Sequence, residues 1–179
     1  MSDDAYRTFW RRLGAGLADQ TLFVPLSFLD EWVLSLELVA RSIAIYLVAS
    51  SSIFLLYSIL MHGLFGQTVG KMLTRVRVVD LAETGITMRQ AILRDSPGLL
   101  FQLAFLPTAL THLDWWIAFQ RGDVGEIPRW FLILGFGVLL MFLVEFATML
   151  TNRKRRALHD FIAGTIVDKL YNQPMERTS

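Results

Sequence analysis

The amino-acid sequence predicts an all-α integral membrane protein. It has four transmembrane helices, with a short cytoplasmic β-hairpin and an interfacial helix between spans two and three. Three observations predict this class. The apolar residues come in long blocks, all five tryptophans fall at the ends of those blocks, and the basic residues gather in alternate loops. Hydrophobic residues make up 54% of the 179-residue chain and charged residues 18%, below the roughly 25% charge of a typical soluble domain. That length is expected to form one domain, covering 1–179.

A bilayer-crossing helix needs about 20 mostly apolar residues. Ile43 to Phe65 satisfies this best, with no Asp, Glu, Lys or Arg inside it. Trp130 to Thr151 is similar and holds one acid, Glu145. Leu13 to Leu29 carries Asp19 and Pro25. Gly98 to Leu113 is shorter and reaches full length only by running past Asp114 into Trp115 and Trp116, which predicts a tilted, kinked or partly interfacial segment. The expected spans are 11–29, 43–65, 98–118 and 130–151. The opening residues, with Asp3 and Asp4 and with Pro25 interrupting the first block, do not read as a cleaved signal peptide.

Charge sets the expected orientation. Arg7, Arg11 and Arg12 precede span one. Lys71, Arg75, Arg77, Arg89 and Arg94 follow span two, and Arg153, Lys154, Arg155 and Arg156 follow span four. The other loops are acid-rich, with Asp30, Glu31 and Glu37 in one and Asp114, Asp123 and Glu126 in the other. The positive-inside rule then places both termini in the cytoplasm. The basic runs adjoin spans, so anionic lipid headgroups are the expected partners rather than nucleic acid.

The long loop after span two has structure of its own. Arg75-Val76-Arg77-Val78-Val79 alternates as a strand does, Leu81 to Gly85 reads as a turn, and Ile86-Thr87 is expected to return as a second strand. Thr87-Met88-Arg89-Gln90 fits a capping box that opens a helix to about Asp95. The polar tail 169–179, containing Pro174, is expected to be frayed.

Ionisable residues inside spans are the candidate functional groups, because a charge at mid-bilayer costs roughly 2.5–3.5 kcal/mol on insertion scales. Asp19 lies seven residues after Arg12, on the same helical face and about 10 Å further along the axis. A third group, a water or a lipid phosphate would be needed to link them. Glu145 sits two turns from the end of span four. Two readings stand open: Asp19 and Glu145 carry ions or protons, or each pairs with Arg12, Arg94 or Arg156 and locks the bundle.

Other motifs are weaker. Gly66-Gln67-Thr68-Val69-Gly70-Lys71 has the wrong glycine spacing for a phosphate loop, and Met72 stands where Ser or Thr is required. Its glycines are expected to turn the chain at the membrane surface, with Lys71 on lipid headgroups. His159-Asp160 and His112 with Asp114 are too few ligands for a metal site. The chain has no cysteine, and no nucleophile constellation is visible, so neither an enzyme nor a cofactor is expected. Gly14-Ala15-Gly16 and Gly135-Phe136-Gly137 offer surfaces for close helix approach.

Taken together, these stretches resemble the RDD family of bacterial membrane proteins, named for an arginine and two aspartates. The match runs through Arg11 to Asp19, through Gly66 to Lys71 with Arg75 to Asp80 and Arg94, and through Arg153 to Thr165. The resemblance implies that Arg12, Asp19 and Asp160 are the name-giving residues. It implies a bacterial inner membrane location and two function classes. Some members are proposed to exchange sodium for protons, and an animal relative is linked to a quality-control complex as a partner. The expected function is a non-catalytic subunit or adaptor that docks through a cytoplasmic platform of Gly66, Gln67, Thr68, Gly70, Lys71 and Arg94. The alternative is a small oligomeric cation/proton antiporter that uses Arg12, Asp19, Glu145, His159 and Asp160. A protein partner or a homo-oligomer is implied either way.

Overall fold

The computed structural model describes residues 8–36, 40–120, 122–123 and 125–170. Arg7, Glu37 and the tail from 171, with Pro174, lie outside the described residues. The chain is mostly helical. In order it forms α1 (Phe9–Leu22), α2 (Val24–Ser35), α3 (Ala40–Phe65), α4 (Val69–Leu73), β1 (Val76–Asp80), α5 (Met88–Arg94), α6 (Ser96–Thr111), α7 (Leu113–Gln120), α8 (Arg129–Thr151), α9 (Leu158–Ala163) and β2 (Thr165–Lys169).

Among the described residues, two helices are long and apolar enough to cross a membrane: Ser42–Phe65 within α3, and α8. Their apolar windows are only 12% and 0% buried within the protein. So little burial of long apolar helices is rare on soluble monomers and suits an apolar solvent around them.

The other two apolar blocks are broken. The first is divided at Phe23 into α1 and α2. Pro25 has no amide proton to give the preceding turn, so the chain tightens around it: the Phe23 N–H donates to the Gln20 carbonyl and the Leu26 N–H to the Phe23 carbonyl. The third block is divided at His112 into α6 and α7, with Pro107 inside α6, as its interrupted composition predicts. At that end His112 stacks on Trp130, and Trp115, Trp116, Phe119 and Phe131 form one aromatic cluster.

The expected β-hairpin is corrected. β1 pairs antiparallel with β2, with Val78 opposite Val167 and Asp80 opposite Thr165. The local return is reduced to one bridge between Val79 and Gly85. The reason lies in the residues meant for the second strand. Ile86 is buried under the sheet, and Thr87 is consumed as the N-cap of α5, where its hydroxyl accepts from the Gln90 N–H and Gln90 reaches back to the Thr87 N–H. Strand β2 replaces them with Ile166 and Val167, both fully buried. Lys169, expected in the frayed tail, therefore belongs to a strand, and the Leu170 N–H donates to the Arg75 carbonyl.

A small core forms where the strands meet α5: Val76, Val78, Ile86, Ala91 and Val167. α3 packs on α5, α5 on α9, and α1 on α4. The short elements from both loops thus gather into a single platform. Two glycines shape it. Gly66 turns out of α3 at φ +67°, and its carbonyl accepts the Val78 N–H, a conformation open to residues without a side chain. Gly70 lies against α1 so closely that a Cβ there would sit 2.0 Å from the Ala15 carbonyl oxygen.

Candidate functional site

The platform holds three connected polar clusters. The first is centred on Asp160, which is fully buried in α9. Its Oδ2 accepts from Arg12 Nη1 at 2.6 Å and from the Ala157 N–H at 3.0 Å. Its Oδ1 accepts from Arg94 Nη1 and from the Thr165 hydroxyl. Burial pushes this carboxyl upward, but the guanidiniums of Arg94 and Arg12 outweigh it and hold it well below the usual carboxylate range. One carboxylate thereby joins α1, α5 and α9, elements far apart in sequence.

The cluster continues through Arg94 Nη2, 2.9 Å from His159 Nε2. A guanidinium only donates, so Nε2 is the acceptor and the imidazole proton sits on Nδ1. Nδ1 faces Glu145 Oε2 at 2.9 Å, and the His159 backbone N–H donates to Glu145 Oε1 at 3.2 Å. Glu145 therefore pairs with histidine, which corrects the expected arginine partner. Arg156, offered for that role, instead donates to the carbonyls of Asp160 and Thr165 and lies over the Phe161 ring.

The second cluster surrounds Asp19, buried on α1. Its Oδ1 accepts from the Tyr57 hydroxyl at 2.8 Å and the Gly70 N–H at 2.7 Å, and its Oδ2 accepts from the Thr68 hydroxyl at 2.6 Å. Thr68 also caps α4 by accepting from the Lys71 N–H. None of the three expected arginine partners stands: Arg12 and Arg94 turn to Asp160, Arg156 to backbone carbonyls, and Asp19 binds the first turn of α4, where backbone N–H groups and the helix dipole favour an anion. Gln67, the remaining loop residue, donates to the Val76 carbonyl and ties the loop to β1.

The third cluster lies at the junction of α3, α4 and α5. Lys71 does not reach for headgroups. Its Nζ lies 2.8 Å from Nε2 of His62, which is 3% exposed. His62 Nδ1 is 3.2 Å from the Ser58 oxygen, and the Ser58 hydroxyl donates to Asp95 Oδ1 at 2.8 Å. Burial lowers Lys71 to about 7, and Arg94 acts in the same direction.

The candidate residues Arg12, Asp19, Arg94, Glu145, His159 and Asp160 thus converge, together with Thr68, Gly70 and Lys71. Sequence reasoning missed Tyr57, Ser58, His62, Asp95 and Thr165. A signal existed for three of them: Tyr57, Ser58 and His62 are polar groups in an otherwise uncharged span, and Ser58 and His62 share a face at a spacing of four. Among the described residues, no group of three or more acidic or histidine side chains is arranged to hold a metal ion.

No curated protein and no solved structure matches the chain. The RDD family model matches residues 6–164, from ahead of Arg12 to beyond Asp160. With that match covering most of its length and every residue of the three clusters but Thr165, the chain belongs to the RDD family.

Proposed function

We propose that this protein is a non-catalytic subunit or adaptor of a bacterial inner-membrane complex, docking through the platform formed by 66–95 and 152–170. The observation that carries the reading is Asp160. A single buried carboxylate locks the start of α1, the end of α5 and α9 into one body. A breaking of either pair would strand buried charge, so the platform is held in one shape. A rigid polar surface mounted on membrane helices suits docking, since pre-organisation lowers the entropy lost on association.

The topology that goes with it has four crossings and both termini in the cytoplasm. Parity supports this. α3 and α8 are each long enough to cross once, while Arg12, the 66–95 loop and α9 meet at one end. The chain returns to that end only if α1–α2 and α6–α7 cross as well. Anionic lipid headgroups suit the basic residues that rim the platform.

The test is purification of the full chain from native membranes in mild detergent, with mass spectrometry of co-eluting proteins. A stoichiometric partner lost in an Asp160→Asn variant is the expected result. Recovery of the bare chain alone would overturn the adaptor reading.

A second reading, an oligomeric cation/proton antiporter, is favoured by Asp19. Its carboxylate is buried, yet its hydrogen bonds come from two hydroxyls and a backbone amide, neutral donors that a cation could join. Under this reading, Asp19→Asn in proteoliposomes abolishes exchange while the fold persists; unchanged exchange sinks it.

A further inference from the structure

The third cluster has a donor and acceptor pattern with one consistent solution. An ammonium has three donors and no acceptor, so His62 Nε2 must offer its lone pair to Lys71. The imidazole proton therefore sits on Nδ1. It points to the Ser58 oxygen, which is free to accept because the Ser58 hydroxyl is given to Asp95 Oδ1. Asp95 Oδ2 lies 3.5 Å from the same ring nitrogen. The chain reads Lys71 to His62 to Ser58 to Asp95, running from α4 across one turn of α3 to the end of α5.

We propose that Lys71 and His62 form a proton-binding site, with one exchangeable proton held between Nζ and Nε2 and Asp95 as its counter-charge. Moving that proton breaks one Nζ–H bond and forms one Nε2–H bond. It leaves a neutral amine and an imidazolium that faces Asp95, with total charge unchanged. Releasing it leaves an amine and a neutral imidazole beside Asp95. The site is distinct from docking and stands or falls separately from it.

The surroundings set the range in which the proton exchanges. Arg12 and Asp19 face Lys71 from α1, His62 from α3, and Arg94 and Asp95 from α5 and its C-terminal cap. Tyr57, also on α3, is bound to Asp19. The charges of β1 are engaged elsewhere: Asp80 accepts from Thr84, and Arg77 lies opposite Asp168. Burial and Arg94 oppose the proton on Lys71, Asp19 and Asp95 favour it, and the balance of about 7 lies at neutral pH. Asp95 is itself held low: burial works against its charge, but His62, Ser58 and Arg94 outweigh that.

The experiment is solid-state NMR of the full chain in lipid vesicles with ¹⁵N-labelled histidine, over roughly pH 5.5 to 8.5, a range chosen around the neutral point. His112→Gln and His159→Gln variants assign the signals. The expected result is a neutral His62 protonated on Nδ1, whose Nε2 signal steps through neutrality as Lys71 loses its proton. In Lys71→Met the step is absent. A neutral His62 that carries its one proton on Nε2, or a His62 signal unmoved across the range, would overturn the proposal. The unsubstituted protein decides these outcomes alone if Lys71→Met does not fold.

Discussion

Asp160 bears more of the platform than any other single side chain, because three segments converge on its two oxygens. Replacing it by asparagine keeps the shape and removes the charge. Arg12 and Arg94 are then left facing each other without compensation, and removal of one partner from a buried pair costs about 3–5 kcal/mol. Asp160→Asn should lower the unfolding free energy in mixed micelles by that order, and a wild-type denaturation midpoint would refute it. Asp160 and Lys71 act on the pH dependence in separate windows. Asp160, with its pKa depressed, contributes stability that is present above the ordinary carboxylate value and is lost as pH falls through the folded one. Lys71 is also depressed, from 10.5 to about 7, but it is a base. Between those values the unfolded chain keeps a proton that the folded chain has shed, so stability should rise with pH across that window as well. Thermal unfolding from about pH 7 to about 10 should show the rise, and Lys71→Met should flatten it.

At the scale of elements, the contact of α1 with α4 depends on the absence of one carbon. Gly70 presses on the Ala15 carbonyl, and the same approach delivers its N–H to Asp19 at 2.7 Å. Gly70→Ala would force the two helices apart and lengthen that hydrogen bond. Overpacking of this kind costs typically about 1–3 kcal/mol, and the backbone on both sides leaves little to yield. A melting temperature unchanged from the parent would show that the helices separate without loss. Gly16, Gly135 and Gly137 have no such neighbour: a Cβ added at any of them would meet nothing within 4 Å. The small surface of Gly135-Phe136-Gly137 on α8 therefore meets no other helix among the described residues, in contrast to Ala15 on α1.

At the scale of the whole molecule, polar and apolar parts are segregated. The apolar windows of α3 and α8 hold few buried residues, while fully buried residues such as Val76, Val78, Ile166 and Asp160 cluster in the platform. Its stability therefore rests on a small core and on buried ion pairs, with the long helices seated in lipid. The absence of cysteine makes the four-crossing topology easy to probe. Ala82, exposed in the turn after β1, and Gly125, exposed between α7 and α8, are expected on opposite sides. A membrane-impermeant maleimide added to whole cells should label Gly125→Cys and spare Ala82→Cys until the inner face is opened. Labelling of both from outside would refute the topology.

The sequence by itself determined the membrane class, the family, the two long helices, the capping box of α5 and the residues that carry charge. Each depends on local composition or short spacing, which a linear reading measures directly: an uncharged run from Ile43 to Phe65, a Thr87 three residues before Gln90. Only the tertiary structure decided the partners. Arg12 could not be assigned to Asp160, 148 residues away, nor Asp19 to Gly70, because both pairings depend on how α1 docks. The hairpin reading failed for the same reason. Val76 to Asp80 announced a strand through its alternation, but a strand's partner is chosen by which edge buries the most apolar surface, and that edge came from Thr165 to Lys169. Lys71 shows the limit most plainly: next to a span it looked like a headgroup ligand, and three-dimensional packing placed it on His62.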